Sequence, residues 1–149
     1  MQPENVSITG GVDTHKDTDT AAALDSTGRL LGTEIFPASA GGYKKLLNWL
    51  QTFGGVSQVG VEGTSSYGAG LTRFLAKAGI AVVEVNRPNR QTRRQKGKSD
   101  PVDAESAARA ALSGQQLGVP KSQDGEVEIL RMLRLQRRSA IKARSQAAN

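Results

Sequence analysis

Hydrophobic periodicity changes several times along this chain, and the order of those changes restricts the fold more than any single residue does. Val6-Ser7-Ile8-Thr9-Gly10-Gly11-Val12-Asp13 alternates β-branched with small or polar residues, which predicts a first strand. Thr20 to Leu24 and Leu30 to Phe36 predict two more, joined through the turn-forming Asp25-Ser26-Thr27-Gly28. The period then lengthens: Tyr43, Leu46, Leu47, Leu50 and Phe53 fall at i, i+3, i+4, i+7 and i+10, one apolar helix face, which Gly54-Gly55 ends. Val56 to Glu62 predicts a fourth strand. Leu71, Phe74, Leu75 and Ala78 mark a second helix, stopped by Gly79. Ile80 to Val85 is a fifth strand and the most apolar run, so it is expected near the centre of the sheet.

The order β-β-β-α-β-α-β sets an antiparallel meander ahead of right-handed parallel crossovers. It matches an α/β, ribonuclease H-like (RuvC-like) fold, a five-stranded mixed sheet with flanking helices. Beyond the sheet, residues 86–99 keep no periodicity. A helix is predicted from Asp100-Pro101 to about Ser113, where Gly114 ends it. Residues 114–122 read as a linker, and a basic helix is expected from Gln123 towards Asn149. The domain reading is therefore 1–113 for the catalytic-type domain and 114–149 for a linker and the start of a basic helical or coiled-coil region.

Charge divides the chain in the same place. Residues 1–85 carry six Lys/Arg against eight Asp/Glu, or −2, whereas residues 86–149 carry fourteen against six, or +8. A mildly acidic half followed by a strongly basic one points to a polyanionic partner, and nucleic acid fits better than a membrane surface. A membrane-surface helix wants large apolar anchors, and no aromatic residue follows Phe74. Within 86–99, Arg87, Arg90, Arg93, Arg94, Lys96 and Lys98 stand without a compensating acid, a composition suited to phosphate contacts that position nucleic acid without reading its sequence. There is no cysteine, which excludes disulfides and thiolate metal sites. No apolar run approaches membrane-spanning length, and no signal-peptide pattern opens the chain. A cytoplasmic, nucleoid-associated location is expected.

Four acids are spaced as a metal-dependent nuclease site requires. Asp13 and Glu62 end strands one and four, which neighbour each other in this fold, and Asp100 and Asp103 lie one helical turn apart. Mg²⁺ (or Mn²⁺) takes oxygen ligands and is usually held by a few carboxylates plus substrate phosphates. Two such ions can activate an attacking water and stabilise the leaving oxygen of a phosphodiester. Simpler roles compete. Asp100-Pro101 makes a good helix N-cap with a first-turn proline, and Asp103 would then sit beside the positive helix end. Asp13 could serve a turn, as could the nearby Asp17, Asp19 and Asp25. Glu62, which ends an apolar strand before Gly63-Thr64, has no obvious structural task. His15, the only histidine, cannot by itself form a histidine metal site and is expected at the surface. Lys16 suits either a phosphate contact or a solvated strand end. No Walker loop, dinucleotide fingerprint, zinc spacing or Gly-x-Ser-x-Gly elbow is present.

Taken in order, Gly11-Val12-Asp13-Thr14-His15-Lys16, Gly60-Val61-Glu62-Gly63-Thr64, Val85-Asn86-Arg87-Pro88 and Lys98-Ser99-Asp100-Pro101-Val102-Asp103-Ala104 resemble the N-terminal domain of the DEDD-type insertion-sequence transposases, the group programmed by a bridge RNA. The resemblance covers roughly residues 6–145. It implies that Asp13, Glu62, Asp100 and Asp103 coordinate divalent metal. It also implies metal-dependent cutting and rejoining of DNA in transposition, with a structured guide RNA and sister subunits (a dimer or tetramer) as partners. Members of that family carry a further, serine-bearing domain after a helical region. No serine here matches its motif, so residues 1–149 alone are expected not to complete transposition. Two other readings stay open: a stand-alone nuclease of the Holliday-junction type, and a nucleic-acid-binding fragment without chemistry. A phosphotransferase of the actin-like sugar-kinase type would need a second phosphate loop, which is not found.

Overall fold

The computed structural model describes residues 6–85, 99–114, 116–118 and 126–148. The strands are β1 (Ser7–Thr14), β2 (Thr18–Leu24), β3 (Leu30–Pro37), β4 (Gly55–Glu62), β5 (Ala81–Val85) and β6 (Gln116–Gly118). The helices are α1 (Ala40–Gln51), α2 (Ala69–Lys77), α3 (Asp100–Leu112) and α4 (Glu126–Ala148). The strands form one sheet in the order β3-β2-β1-β4-β5-β6. β1 pairs antiparallel with β2 and parallel with β4, and β4 pairs parallel with β5. The meander and crossovers expected from the periodicities are thus present, with the RuvC-like mixed sheet. Its five expected strands are joined at one edge by three-residue β6, from the stretch expected to be a linker. β5 is not at the centre; that place belongs to β1 and β4, each flanked by two full-length partners.

Local chemistry explains the main boundaries. Ser39 caps α1 by accepting the Gly42 N–H on its hydroxyl at 3.2 Å. Asp25 Oδ1 accepts the Thr27 and Arg29 N–H groups at 2.9 and 3.0 Å, and Gly28 at φ 86° closes the β2–β3 turn. These bonds hold the Asp25 carboxyl below its ordinary pKa, the Thr27 side-chain hydrogen bond contributing most.

The two sheet faces are built differently. On one, α1 and α2 cover Ile8, Val12, Ala21, Ala23, Val59 and Val61 with Leu46, Leu50, Leu71 and Leu75. All four leucines are fully buried, each contributing about 1.5–3 kcal/mol. On the other, α3 presents Ala104, Ala107, Ala108 and Ala111. Here the helix backbone lies almost on the sheet: a Cβ added at Gly11 would come 2.2 Å from the Ala108 nitrogen, and one at Gly60 would come 2.6 Å from the Ala107 carbonyl oxygen. Arg109 braces this face, donating to the Gly28 carbonyl at 2.8 Å while its guanidinium holds Glu105. α4 is the expected basic helix, and its residues 133–147 are exposed. Among the described residues no helix is long and apolar enough to cross a membrane.

Candidate functional site

Strand alternation determines where the acids point. Gly11 faces α3, so Asp13, two residues on, faces the same way; Gly60 and Glu62 repeat the relation on β4. The parallel register Val12↔Val61 leaves Asp13 and Glu62 level at the carboxyl ends of adjacent strands, where open α/β sheets bind ligands. The Thr14 hydroxyl fastens the two ends together, donating to the Glu62 carbonyl oxygen at 2.8 Å in a buried bond. α3 delivers the other two acids from its first turn. Asp13, Glu62 and Asp103 are 6, 5 and 5% exposed, a degree of burial rarely tolerated for carboxylates unless they are paired or bind a cation.

Asp100 does not cap its helix. Ser99 takes the N-cap position with extended backbone and no side-chain capping bond, and Asp100 lies within the first turn. Its carboxylate instead approaches His15, Oδ1 standing 3.4 Å from Nε2. The same Nε2 is 2.9 Å from Asp13 Oδ2. His15 lies at the surface as expected from the sequence, but it is paired with two carboxylates. Its ring is 44% exposed but turned back over the acid cluster by the β1–β2 hairpin, in which its backbone N–H donates to the Thr18 carbonyl. No spacing rule signals this, because Asp100 arrives from another element.

The cluster perturbs its own ionisation. Burial raises the Asp13 pKa, the negative charges of Asp103 and Asp100 raise it further, and His15 partly offsets both. For His15, burial lowers the pKa, but the charges and hydrogen bonds of Asp13 and Asp100 outweigh it and leave the imidazole more basic than usual. A bound cation would relieve the repulsion among the acids, and the donor atoms of Asp13, His15 and Asp100, all within 4.8 Å of one another, fit a divalent ion; Glu62 and Asp103 are not part of that close group.

A further acid, treated in the sequence as one of several turn acids, is the most completely buried. Asp19 on β2 is 0% exposed, and neither carboxylate oxygen has a well-formed hydrogen bond, the His15 backbone acting on it only as a weak donor. Its pKa is pushed up to about 6, by burial first and by the charge of Asp13 second, against the lowering effects of the His15 backbone and ring. Asp19 pairs with Thr14 and Phe36 across the sheet, so it points to the face opposite the cluster, towards Tyr43, whose own pKa it helps to raise after burial. Lys16 is exposed in the β1–β2 turn, beside the cluster in sequence. Arg87, Arg90, Arg93, Arg94, Lys96 and Lys98 lie outside the described residues.

Comparison with solved structures gives the same architecture. Thermus thermophilus RuvC superposes with a TM-score of 0.52 at 15% identity, covering 75% of this chain and 99% of that one. T. thermophilus RuvC in complex with a Holliday junction substrate gives 0.52 at 15% identity, covering 73% and 95%. At such identity the likeness establishes the fold alone. No curated protein matches in sequence. A family model described as a transposase, DEDD_Tnp_IS110, matches residues 10–149. A RuvC-like sheet, acids gathered at the ends of β1 and β4 and the start of α3, and a family match over nearly the whole chain converge: this chain belongs to the IS110-type DEDD transposases.

Proposed function

We propose that this domain carries the metal-dependent DNA-cleaving centre of its transposase, with Asp13, Glu62, Asp100 and Asp103 holding Mg²⁺ or Mn²⁺. The observation that carries the reading is the burial of Asp13, Glu62 and Asp103 at the carboxyl ends of the two central strands, two of them on those adjacent strands and the third on the helix that faces them. Asp13, desolvated and repelled by the charges of Asp103 and Asp100, has a strong physical reason to bind a cation. When bound, the ion supplies activation of the attacking water or hydroxyl and stabilisation of the leaving oxygen. Asp13 and Glu62 hold ligand positions fixed relative to each other by the β1–β4 ladder, and Asp100 and Asp103 hold theirs through the seating of α3. Lys16, Arg87, Arg90, Arg93, Arg94, Lys96 and Lys98 neutralise DNA phosphates and orient the strand. DNA, a structured guide RNA and sister subunits are the partners of this reading, and a separate serine-bearing domain completes strand exchange.

The test is DNA cleavage and recombination by a complete transposase carrying Asp103→Asn or Glu62→Gln. Losing an ionic ligand removes several kcal/mol of charge stabilisation, so activity should fall more than about a hundredfold while the melting temperature holds or rises. Full activity in either variant sinks the metal-centre reading. Metal-dependent cutting of a four-way junction by residues 1–149 alone would favour the second reading, a resolvase-like nuclease, for which the shared fold with RuvC is the supporting observation.

A further inference from the structure

His15 stands outside the acid set that the family resemblance implies, yet its ring lies between two members of that set. Nε2 is 2.9 Å from Asp13 Oδ2 and 3.4 Å from Asp100 Oδ1. These three donor atoms all lie within 4.8 Å of one another. Neighbouring vertices of an octahedron around an ion with bonds of about 2.1 Å are about 3 Å apart, so both nitrogen–oxygen separations are those of adjacent ligands. One ring nitrogen facing two carboxylates from different elements, β1 and α3, is also more than a single hydrogen bond requires. The hairpin backbone fixes the main chain from which the ring projects: the His15 N–H is bonded to the Thr18 carbonyl at 3.0 Å.

We propose that His15 Nε2 is a direct ligand of the divalent ion, which displaces to solvent the proton that Nε2 shares with the carboxylates and forms a mixed nitrogen and oxygen set with Asp13 and Asp100. The proposal rests on the metal-centre reading above and adds to it a chemical preference. Mg²⁺ is a hard ion served by oxygen, whereas imidazole nitrogen raises affinity for first-row transition ions. This site therefore discriminates between Mn²⁺ and Mg²⁺ in a way that four carboxylates alone would not.

The chain has one histidine, which makes a direct test unambiguous. Mn²⁺ is titrated into the whole chain and its pulsed electron paramagnetic resonance spectrum searched for imidazole-nitrogen coupling, which only His15 can supply. The coupling should appear in the wild-type protein and vanish in His15→Gln. Mn²⁺ affinity should fall about ten- to a hundredfold in that variant while Mg²⁺ affinity changes by less than about threefold. Saturable Mn²⁺ binding without nitrogen coupling, or an equal loss of both ions in His15→Gln, overturns the ligand assignment and leaves the metal-centre reading standing. Failure of the wild-type chain to bind Mn²⁺ overturns the ligand assignment and counts against the metal centre as well.

Discussion

Replacing Asp19 by Asn should change how the stability of this domain depends on pH. Both Asp19 oxygens are buried without a well-formed hydrogen bond, and the carboxyl titrates at about 6 instead of the ordinary 3.8. A carboxyl whose pKa is raised by folding binds its proton more tightly in the native than in the unfolded state. Stability is then highest when the group is protonated and falls as pH climbs through the window between the two values. The separation is about two units, and each unit is worth about 1.4 kcal/mol, so ionising Asp19 costs the folded state about 3 kcal/mol by neutral pH. Asn has nearly the same shape and no charge. Its amide is also unpartnered there, so it brings a roughly pH-independent desolvation cost, and the slope is the diagnostic quantity. Urea unfolding at closely spaced pH values from about 4 to 7, in a chelating buffer that keeps metal out of the nearby cluster, measures it. The wild-type curve should decline across that range by about 2.4 kcal/mol more than the Asp19→Asn curve, because the unfolded carboxyl is already more than half ionised at pH 4. Parallel curves would refute the reasoning, because they would mean that the carboxylate is hydrated or paired in solution and carries no charge-burial cost.

Two further substitutions probe the framework under the site. Gly11→Ala places a methyl about where the Ala108 nitrogen and Ala104 carbonyl oxygen already lie. It should cost about 3 kcal/mol or more in denaturant unfolding and displace α3 enough to weaken Mn²⁺ binding. A variant with wild-type stability and affinity would show that the helix slides without cost. Thr14→Val keeps the side-chain shape but leaves the Glu62 carbonyl oxygen without its 2.8 Å donor, so a loss of about 1–3 kcal/mol is expected. An unchanged melting curve would mean that water replaces the hydroxyl.

Legibility in the sequence followed the range of the interaction. β1 to β5 and the first three helices were readable because alternation, a 3.6-residue period and turn glycines are local signals. β6 was not, since three residues hold no period and owe their pairing to the edge of β5. Asp13 and Glu62 were readable as strand-end acids, and strand neighbourhood followed from topology. Asp100 looked like a cap because its sequence context, a proline next in the chain, favours one; only the placement of β1 against α3 turns it towards His15 instead. The pairing of His15 and the burial of Asp19 carry no sequence signal for the same reason, since a hairpin decides which of its polar residues fold back and which go under, and composition does not. The basic stretch 86–98 and the phosphate contacts assigned to it lie outside the described residues.

The unequal construction of the two sheet faces sorts the mutational freedom of the molecule. Beneath α1 and α2 the joint is made of leucine, valine and aromatic side chains that can exchange volume with one another, so stability there can be retuned in small steps by compensating replacements. Beneath α3 the closest approaches are of helix backbone to glycine, which no side-chain rotation can relieve. Any residue larger than glycine at 11 or 60 must lift the helix, and with it the two carboxylates that the helix carries. A library meant to stabilise this domain without disturbing its acids should therefore draw its diversity from the leucine face and leave the alanine and glycine face untouched.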